Sequence, residues 1–482
     1  MGILTNHEPK DVFSYFEKIC SIPHGSGNTD AIATFLVNFA NEHNLESYRD
    51  SSNNVIIRKG GSTGYENSDT IILQGHHDMV CEKDEIVEFD FTNDPIQPVV
   101  DGDWIHAKGT TLGGDNGIAV AMILSILADD SISHPPIEAL ITADEEIGML
   151  GAFAFDCNNL TGQKLINLDS EYEGVLMCSC AGGVNVRSRV PIVREEISGI
   201  KIKIVIKGLT SGHSGVEIDK GRANSNVLIA RLLCELSAKE SYNLFALEGG
   251  TRETAIAAIS KAEIIVSHDK ASRICESINF LANQYMNEYR SVEPHMQISV
   301  EKEDENTFYA LSKTASEKVW QVLVAIPDSV QTMSIDMTGL VQTSTNFGLL
   351  KLDECELTFS NTVRSSITAQ REWIASKINA IVALAGGTTT KDGAYPGWAY
   401  NPDSVLKDTI LKAYKSLFGK EAIVDAVHAG IECGLFADSI PNLDCVSIGP
   451  NMKDVHTPRE RLNISSSYRT YELLKKILAD SK

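Results

Sequence analysis

The chain has 482 residues and a formal net charge of −23 at pH 7, and no basic segment offsets that charge. The charge argues against nucleic acid or an anionic membrane as a partner. No apolar stretch is long enough to span a bilayer, and residues 1–9 lack the charged and apolar regions of a signal peptide. At this length we expect two or three domains. Ten cysteines, most of them in apolar segments, indicate buried thiols in a reducing compartment, by default the cytoplasm.

The first segment that suggests chemistry is an apolar run with β-branched residues, Thr70 to Asp78. It predicts a buried strand with His76 and Asp78 just past its end. Because residues two apart in an extended chain point to the same side, Asp78 can accept one imidazole N–H of His76 while the other nitrogen binds a metal ion. His77 points the other way and is interpreted as structural.

A glycine-rich segment, residues 109–117, comes next and leads into a continuous apolar run. The run predicts a packed helix that Asp115 opens. On sequence alone Asp115 is best interpreted as the N-cap of that helix. The glycines also let the backbone come close to a site, so this carboxylate could instead bridge two cations.

A third apolar strand, Ile137 to Thr142, ends in two adjacent glutamates, Glu145 and Glu146. Adjacent carboxylates repel each other unless cations or solvent neutralise them, and exposure at the surface is the ordinary explanation. A division of labour is more economical here: Glu146 binds a metal ion and Glu145 takes a proton from the attacking water.

Two further strands end near acid or imidazole groups. The run from Leu165 ends at Asp169, and a short strand from Cys445 leads to His456. Side chains that follow several strands converge at the carboxyl edge of an open α/β sheet. The sequence therefore predicts an α/β fold with a two-metal hydrolase site at that edge.

The pattern changes after about Arg187. Lys201 to Lys207 alternates as a strand with one polar face, and amphipathic helices are predicted at 223–236, 271–289, 311–326 and 370–385. None of the predicted metal ligands lies in this stretch. We expect an inserted α+β lid domain at 188–391, with a discontinuous catalytic domain at 1–187 and 392–482.

Six segments, in this order along the chain, resemble the motifs of the co-catalytic zinc exopeptidases, the family that includes carnosinases, carboxypeptidase G and tripeptidase T. They are residues 75–80, 109–117, 143–148, 166–171, 212–215 and 428–434. Within the family, the resemblance is to the bacterial aminoacyl-histidine dipeptidases. It implies a di-zinc exopeptidase-type catalytic domain, with a mixed, mostly parallel sheet between helices, and a lid of two α+β lobes.

The resemblance also implies a ligand set for two zinc ions per subunit, with manganese or cobalt as the other candidates. His76 and Asp169 would hold one ion, and Glu146 and His456 the other. Asp115 would bridge both ions.

The remaining implied roles concern catalysis and substrate. Glu145 would be the general base, and Asp78 would orient the histidine ligand two residues before it. His213 resembles a lid histidine that reaches the scissile carbonyl, and Arg364 resembles an arginine that binds the terminal carboxylate of the substrate. Both would reach the metal ions by lid closure or from an oligomeric neighbour. Thr254 stands where the resemblance leads us to expect Asn, so strict selection of C-terminal histidine is not implied.

These features predict a dipeptidase that hydrolyses Xaa-His and other unblocked dipeptides. A tripeptidase or an N-acyl amino acid hydrolase with the same metal ions is the related alternative. A non-catalytic, metal-dependent peptide-binding protein is the alternative from another class, and Glu145 beside Glu146 argues against it, since a binding protein needs no base. The family also makes a homodimer plausible.

Overall fold

The computed structural model describes residues 2–4 and 6–482. The chain forms two compact units: the first comprises Met1–Ser179, Tyr400–Ala426 and Ile431–Lys482, and the second comprises Cys180–Ala399 and Val427–Gly430. The second unit begins and ends a few residues outside the lid predicted at 188–391, and it also includes the short segment around residue 428. Met1, where the predicted catalytic domain begins, lies outside the described residues.

The helices of the described part of the chain are α1 Lys10–Cys20, α2 Asp30–Glu42, α3 Gly114–Ala128, α4 Leu150–Ala154, α5 Ser225–Ser237, α6 Ala271–Glu288, α7 Lys313–Ala325, α8 Thr368–Leu384, α9 Val405–Phe418, α10 Cys433–Ser439 and α11 Ile464–Asp480. The strands are β1 Glu46–Arg49, β2 Val55–Lys59, β3 Ile71–His76, β4 Pro98–Asp101, β5 Trp104–Ala107, β6 Ile137–Thr142, β7 Lys164–Asn167, β8 Val175–Cys180, β9 Gly182–Pro191, β10 Arg194–Lys207, β11 Asn243–Gly249, β12 Ser260–Val266, β13 Gln297–Leu311, β14 Ser329–Met333, β15 Val341–Leu352, β16 Glu356–Ser365, β17 Thr388–Tyr395, β18 Ile423–Val427, β19 Asp444–Ser447, β20 Met452–Lys453 and β21 Arg461–Asn463.

A mixed sheet organises the first unit, with its strands in the order β1-β2-β6-β3-β7-β19-β8-β18. Its four central strands, β6, β3, β7 and β19, are parallel, and strands β1 and β2 pair antiparallel beside them. Strands β3 and β6 are buried along their whole length, as expected for apolar runs covered on both faces. The predicted α/β class with a mixed sheet is confirmed, and the parallel pairs lie at its centre.

Helix α3 fills the core next to this sheet. Its residues from Gly117 to Leu127 are all buried, because the segment is apolar on every side rather than along one stripe. Among the described residues, the structure contains no helix with the length and apolar character needed to span a bilayer.

The second unit contains one sheet made of two halves. The first half, β10-α5-β11-β12-α6-β13, has the strand order β13-β10-β12-β11, and the second half, β9-α7-β15-β16-α8-β17, has the order β15-β16-β9-β17. Each half is therefore a β-α-β-β-α-β arrangement with the same relative strand order. The halves meet where β11 pairs with β15, and β14 adds to β15 outside the repeat. The two halves are each α+β in composition, and their assignment as lobes of a lid stays a prediction.

Candidate metal centre

The carboxyl ends of the parallel strands carry most of the predicted site. His76 is the last residue of β3, Asp169 lies two residues after β7, and Glu146 lies four residues after β6. Parallel strands deliver their following residues to the same edge of the sheet, which explains why side chains so far apart in sequence meet here. The structure brings all seven predicted catalytic and metal-binding residues into this region of the first unit.

The two carboxylate oxygens of Asp115 face different imidazoles. Oδ1 lies 3.3 Å from Nε2 of His76, and Oδ2 lies 3.2 Å from Nε2 of His456. The first imidazole is also 3.6 Å from Oδ1 of Asp169, and the second is 3.0 Å from Oε2 of Glu146. The five side chains thus form two groups that share one carboxylate.

Asp78 contacts both a histidine of the centre and the turn that carries the two glutamates. Nδ1 of His76 lies 3.1 Å from the backbone carbonyl oxygen of Asp78 and 3.4 Å from its Oδ1, and Oδ2 of Asp78 accepts a hydrogen bond from Ser26 Oγ at 2.7 Å. The backbone N–H groups of Glu145 and Glu146 also donate to this carboxylate, at 3.0 and 3.3 Å. One buried carboxylate therefore orients an imidazole and fixes the turn that carries both glutamates.

Asp115 does not cap helix α3, so its interpretation as an N-cap is wrong. The N-cap position belongs to Gly113, which has a left-handed φ of 70°, and Asp115 lies inside the span of the helix, at a kink where its ψ is 104°. The carboxylate of Glu460 takes the place of the cap instead, because it accepts the N–H groups of residues 112–115 at 2.7–3.2 Å. Asp115 is consequently free to face the imidazoles.

The carboxylates and imidazoles perturb one another strongly. Burial opposes charging of His76, but Asp169 and Asp115 outweigh it and raise the pKa of this imidazole well above its ordinary value. Hydrogen bonds to Asp115 and Glu146 raise the pKa of His456 to about 11. Burial, with the charge of Asp115, raises the pKa of Asp169 to about 8 despite the nearby imidazole. The centre therefore concentrates negative charge that favours cations.

Glu145 has the properties of a proton acceptor beside this charge. Its side chain is half-buried. Burial raises its pKa well above the ordinary value, with further contributions from Asp169, Glu432 and Glu146, although His76 lowers it. A carboxylate whose pKa moves toward neutrality is better suited to take and return a proton near pH 7 than one with its usual pKa.

These donors fit a divalent metal ion. His76, Asp115 and Glu146 each offer one ligand atom, and those atoms lie within 4.8 Å of one another. The buried Oε1 of Glu146 has no hydrogen-bond partner among the described residues. Imidazole nitrogen and carboxylate oxygen are ligands that zinc, manganese and cobalt accept.

The sequence profile described as "Peptidase family M20/M25/M40" matches residues 72–480, which include all of the predicted metal ligands. The chain belongs to this peptidase family. It is therefore a metallopeptidase, and the family and enzyme class predicted from the sequence are confirmed.

Relatives of this M20/M25/M40 peptidase support the same assignment. It is 36% identical over 482 residues to the cytosol non-specific dipeptidase of Escherichia coli (strain K12), covering 100% of this chain and 99% of that protein. The structure matches that of the aminoacylhistidine dipeptidase from Vibrio alginolyticus with a TM-score of 0.93 and 35% identity, over 99% of this chain and 98% of that one. The aminopeptidase PepT from Bacillus cereus shares the fold, with a TM-score of 0.58 and 15% identity over 98% and 99% of the two chains.

Sequence reasoning missed two buried glutamates of this peptidase. Glu460 carries no signal in the sequence, because a lone acid four residues after a histidine has no periodicity. Glu432 lies in the matching segment 428–434, but its place in that segment does not by itself indicate a role. Its Oε2 accepts hydrogen bonds from Thr142 Oγ1 at 2.8 Å and from Gln74 Nε2, and burial raises its pKa to about 7.

The two predicted substrate-binding residues lie in the second unit, where the structure brings them together. A Cβ atom built on Gly215 would lie 3.0 Å from Cε1 of His213 and 3.2 Å from Nε of Arg364. It would also lie 2.3 Å from the carbonyl oxygen of His428, so this position requires glycine. Residues about 150 positions apart therefore converge on one glycine.

Each of these side chains has a group left for a ligand. Nδ1 of His213 accepts the N–H groups of Gly215 and Val216, so its proton belongs on Nε2, which can donate. Arg364 is 5% exposed and donates from Nη1 to the hydroxyl of Tyr395 at 2.6 Å, while its Nε has no partner among the described residues.

Thr254 has an exposed side chain, and its backbone carbonyl accepts the N–H of Ser214 at 2.9 Å. That bond uses the backbone, so it does not depend on Thr replacing the expected Asn.

We predict that His428 makes the second unit less stable in mild acid. Burial, together with the charge of Arg364, lowers the pKa of this imidazole from 6.5 to about 4. The unfolded chain therefore takes up the proton first, and the free energy of unfolding falls as the pH drops from about 6.5 to about 4, by roughly 3 kcal/mol in total. His428→Gln should lose most of this dependence.

Urea unfolding at pH 7 and pH 5 measures the effect. Tryptophan fluorescence reports mainly on the second unit, which contains three of the four tryptophans. The exposed His268→Gln is the matched control and should keep the wild-type difference. An equal loss of stability in acid for wild type and His428→Gln would contradict the prediction.

Proposed function

We propose that this peptidase is a dipeptidase that hydrolyses Xaa-His and other unblocked dipeptides with two zinc ions. The observation that carries the proposal is the shared carboxylate of Asp115, which faces two donor groups, each with one imidazole and one further acid. The dipeptidases named among the relatives, at 36% and 35% identity over nearly the whole chain, support the substrate class. They favour it over the tripeptidase alternative.

In this proposal His76 and Asp169 would hold one ion, Glu146 and His456 would hold the other, and Asp115 would contribute to both. When bound, such ions act as Lewis acids that polarise a peptide carbonyl and make water a better nucleophile. Zinc is proposed over manganese or cobalt because three imidazole and carboxylate ligands with one position left open are typical of catalytic zinc sites.

Two side chains near the proposed metal positions control the transfer of the proton from the attacking water. Glu145 takes it from the attacking water and delivers it to the departing amine, so one carboxylate serves as base and then as acid. Asp78 keeps the imidazole of His76 oriented and holds the backbone of Glu145 in place through the 3.0 Å hydrogen bond. The raised pKa of Glu145 matches both halves of this cycle.

In the second unit we assign the substrate-binding role to two residues. The Nε2–H of neutral His213 donates to the carbonyl oxygen that becomes negative during the reaction, since burial lowers the pKa of this imidazole. Arg364 binds the terminal carboxylate of the substrate through its planar guanidinium. Selection of C-terminal histidine is partial, because Thr254 offers no amide side chain.

Three further features belong to the proposal. Residues 188–391 act as a lid domain on the catalytic domain of residues 1–187 and 392–482. The protein works in the cytosol, as the name of the Escherichia coli relative says of that protein. It forms a homodimer, which gel filtration with light scattering tests directly.

A substrate panel tests the proposed activity. The protein is stripped with a chelator, reloaded with zinc, and offered Xaa-His, other dipeptides, a tripeptide and an N-acetyl amino acid, with products detected by mass. We expect zinc-dependent cleavage of dipeptides led by Xaa-His. Preference for the tripeptide or the N-acetyl compound would overturn the substrate, and metal binding without any cleavage would favour a peptide-binding protein.

Glu145→Gln should keep its metal ions and lose turnover. The amide cannot accept the proton, so kcat should fall by about 10²- to 10⁴-fold. Metal content by mass spectrometry should stay at the wild-type value, since Glu145 is not a proposed ligand. Glu85→Gln, an exposed acid of the same unit, is the matched control. Retained activity in Glu145→Gln would remove it from the reaction.

Arg364→Met should raise KM for free dipeptides by about 10- to 100-fold, the range expected when a charge-assisted hydrogen bond is lost. Dipeptides with an amidated C-terminus should show little change, because they carry no carboxylate. Arg189→Met, an exposed position on strand β9, is the control. The assignment fails if both kinds of substrate respond equally.

A further inference from the structure

We propose that two buried side chains position the two metal ions separately. Asn116 aligns Asp115 with His76 and Asp169, and Glu460 aligns Asp115 with His456. Both are positioning residues, since neither belongs to the proposed ligands. The inference rests on the ligand set of the proposed function.

Asn116 connects three segments that carry ligands. Its Oδ1 accepts the backbone N–H of His76 at 3.2 Å, and its Nδ2 donates to the carbonyl of Leu168 at 3.0 Å. Leu168 directly precedes Asp169, and Asn116 itself directly follows Asp115. A single fully buried amide therefore sets the spacing of these three residues.

The fit around Asn116 is tight. A Cβ atom on Gly75 would lie 2.5 Å from its Oδ1, so the strand that ends at His76 approaches the amide only because this residue is glycine. Both polar ends of the amide are satisfied by backbone groups, one at the last residue of β3 and one directly after β7. A side chain without both a donor and an acceptor would leave a buried backbone group unpaired.

Glu460 connects the segment of Asp115 with the turn that follows His456. Its carboxylate, 2% exposed, accepts four N–H groups from residues 112–115. Its own N–H donates to the carbonyl of Thr457 at 3.0 Å, closing the turn that begins after His456. Glu460 consequently fixes the position of this turn relative to the segment that precedes Asp115.

The two connections have different hydrogen-bond partners. Asn116 bonds to the ends of β3 and β7, and Glu460 bonds to the start of α3 and the turn after His456. Asp115 is the one ligand that both affect. Removing Asn116 should therefore disturb the alignment of Asp115 with His76 and Asp169 but not with His456. Removing Glu460 should have the opposite effect.

The test uses backgrounds that retain one metal position each. His456→Ala leaves the position of His76 and Asp169, and Asp169→Asn leaves the position of His456 and Glu146. Cobalt(II) is titrated into each background against a competing chelator, and binding is followed by visible absorption. The readout is metal affinity and spectrum, not hydrolysis.

Glu460→Gln should weaken cobalt binding by about 10- to 100-fold in Asp169→Asn and leave it unchanged in His456→Ala. Asn116→Ala should give the opposite pattern. The matched controls are Glu138→Gln, a buried carboxylate that accepts the N–H groups of Thr161 and Gly162, and Asn463→Ala, a buried amide bonded to Asp103. Neither control should change cobalt affinity.

Equal weakening in both backgrounds, or no weakening in either, overturns the inference. Thermal unfolding in chelator identifies a variant that does not fold, and Glu460→Asp or Asn116→Ser, for which the same pattern is expected, then replaces it. Wild-type protein that binds two cobalt ions but hydrolyses no dipeptide would refute the proposed function while leaving this inference standing. The two failures are therefore distinguishable.

Discussion

The orientation of Asp115 organises the whole metal centre. The N-terminus of a helix attracts an acid of its own first turn, because its free N–H groups carry partial positive charge. Here a remote acid, Glu460, satisfies those groups, and Asp115 is left to face both imidazoles. The glycines before it make room, since a Cβ on Gly114 would lie 3.1 Å from Oε1 of Glu460.

The second physical theme is the crowding of carboxylates at one sheet edge. Several acids share a space from which water is largely removed, so burial raises the pKa of Asp169 and of Glu145. Like charges so close together are tolerated when imidazoles, backbone N–H groups and cations offset them. Asp78 and Asp115 behave differently within the same site: hydrogen bonds and the neighbouring imidazoles keep the pKa of each carboxyl well below its ordinary value despite burial.

In the second unit, the repeat explains where the substrate-binding candidates come from. His213 follows β10 in the first half, and Arg364 lies near the end of β16 in the second half. The pairing of β11 with β15 joins the halves into one sheet, and the two side chains then meet around Gly215. A guanidinium buried with an unpaired Nε is costly unless an anion accompanies it, which is consistent with a carboxylate ligand.

Sequence patterns alone predict the fold class, the strands that end at His76 and near Glu146 and Asp169, and the membership of the family. These follow from local signals, because apolar runs, glycines and ordered motifs are properties of short segments. The contacts within the centre could not be predicted in this way. Only the packing of β3, β7 and the turn after His456 shows that Asp115 faces two imidazoles, and that Glu460 caps the helix that Asp115 was expected to cap. Such contacts join residues up to about 350 positions apart, and no local pattern records which remote acid reaches a given set of N–H groups.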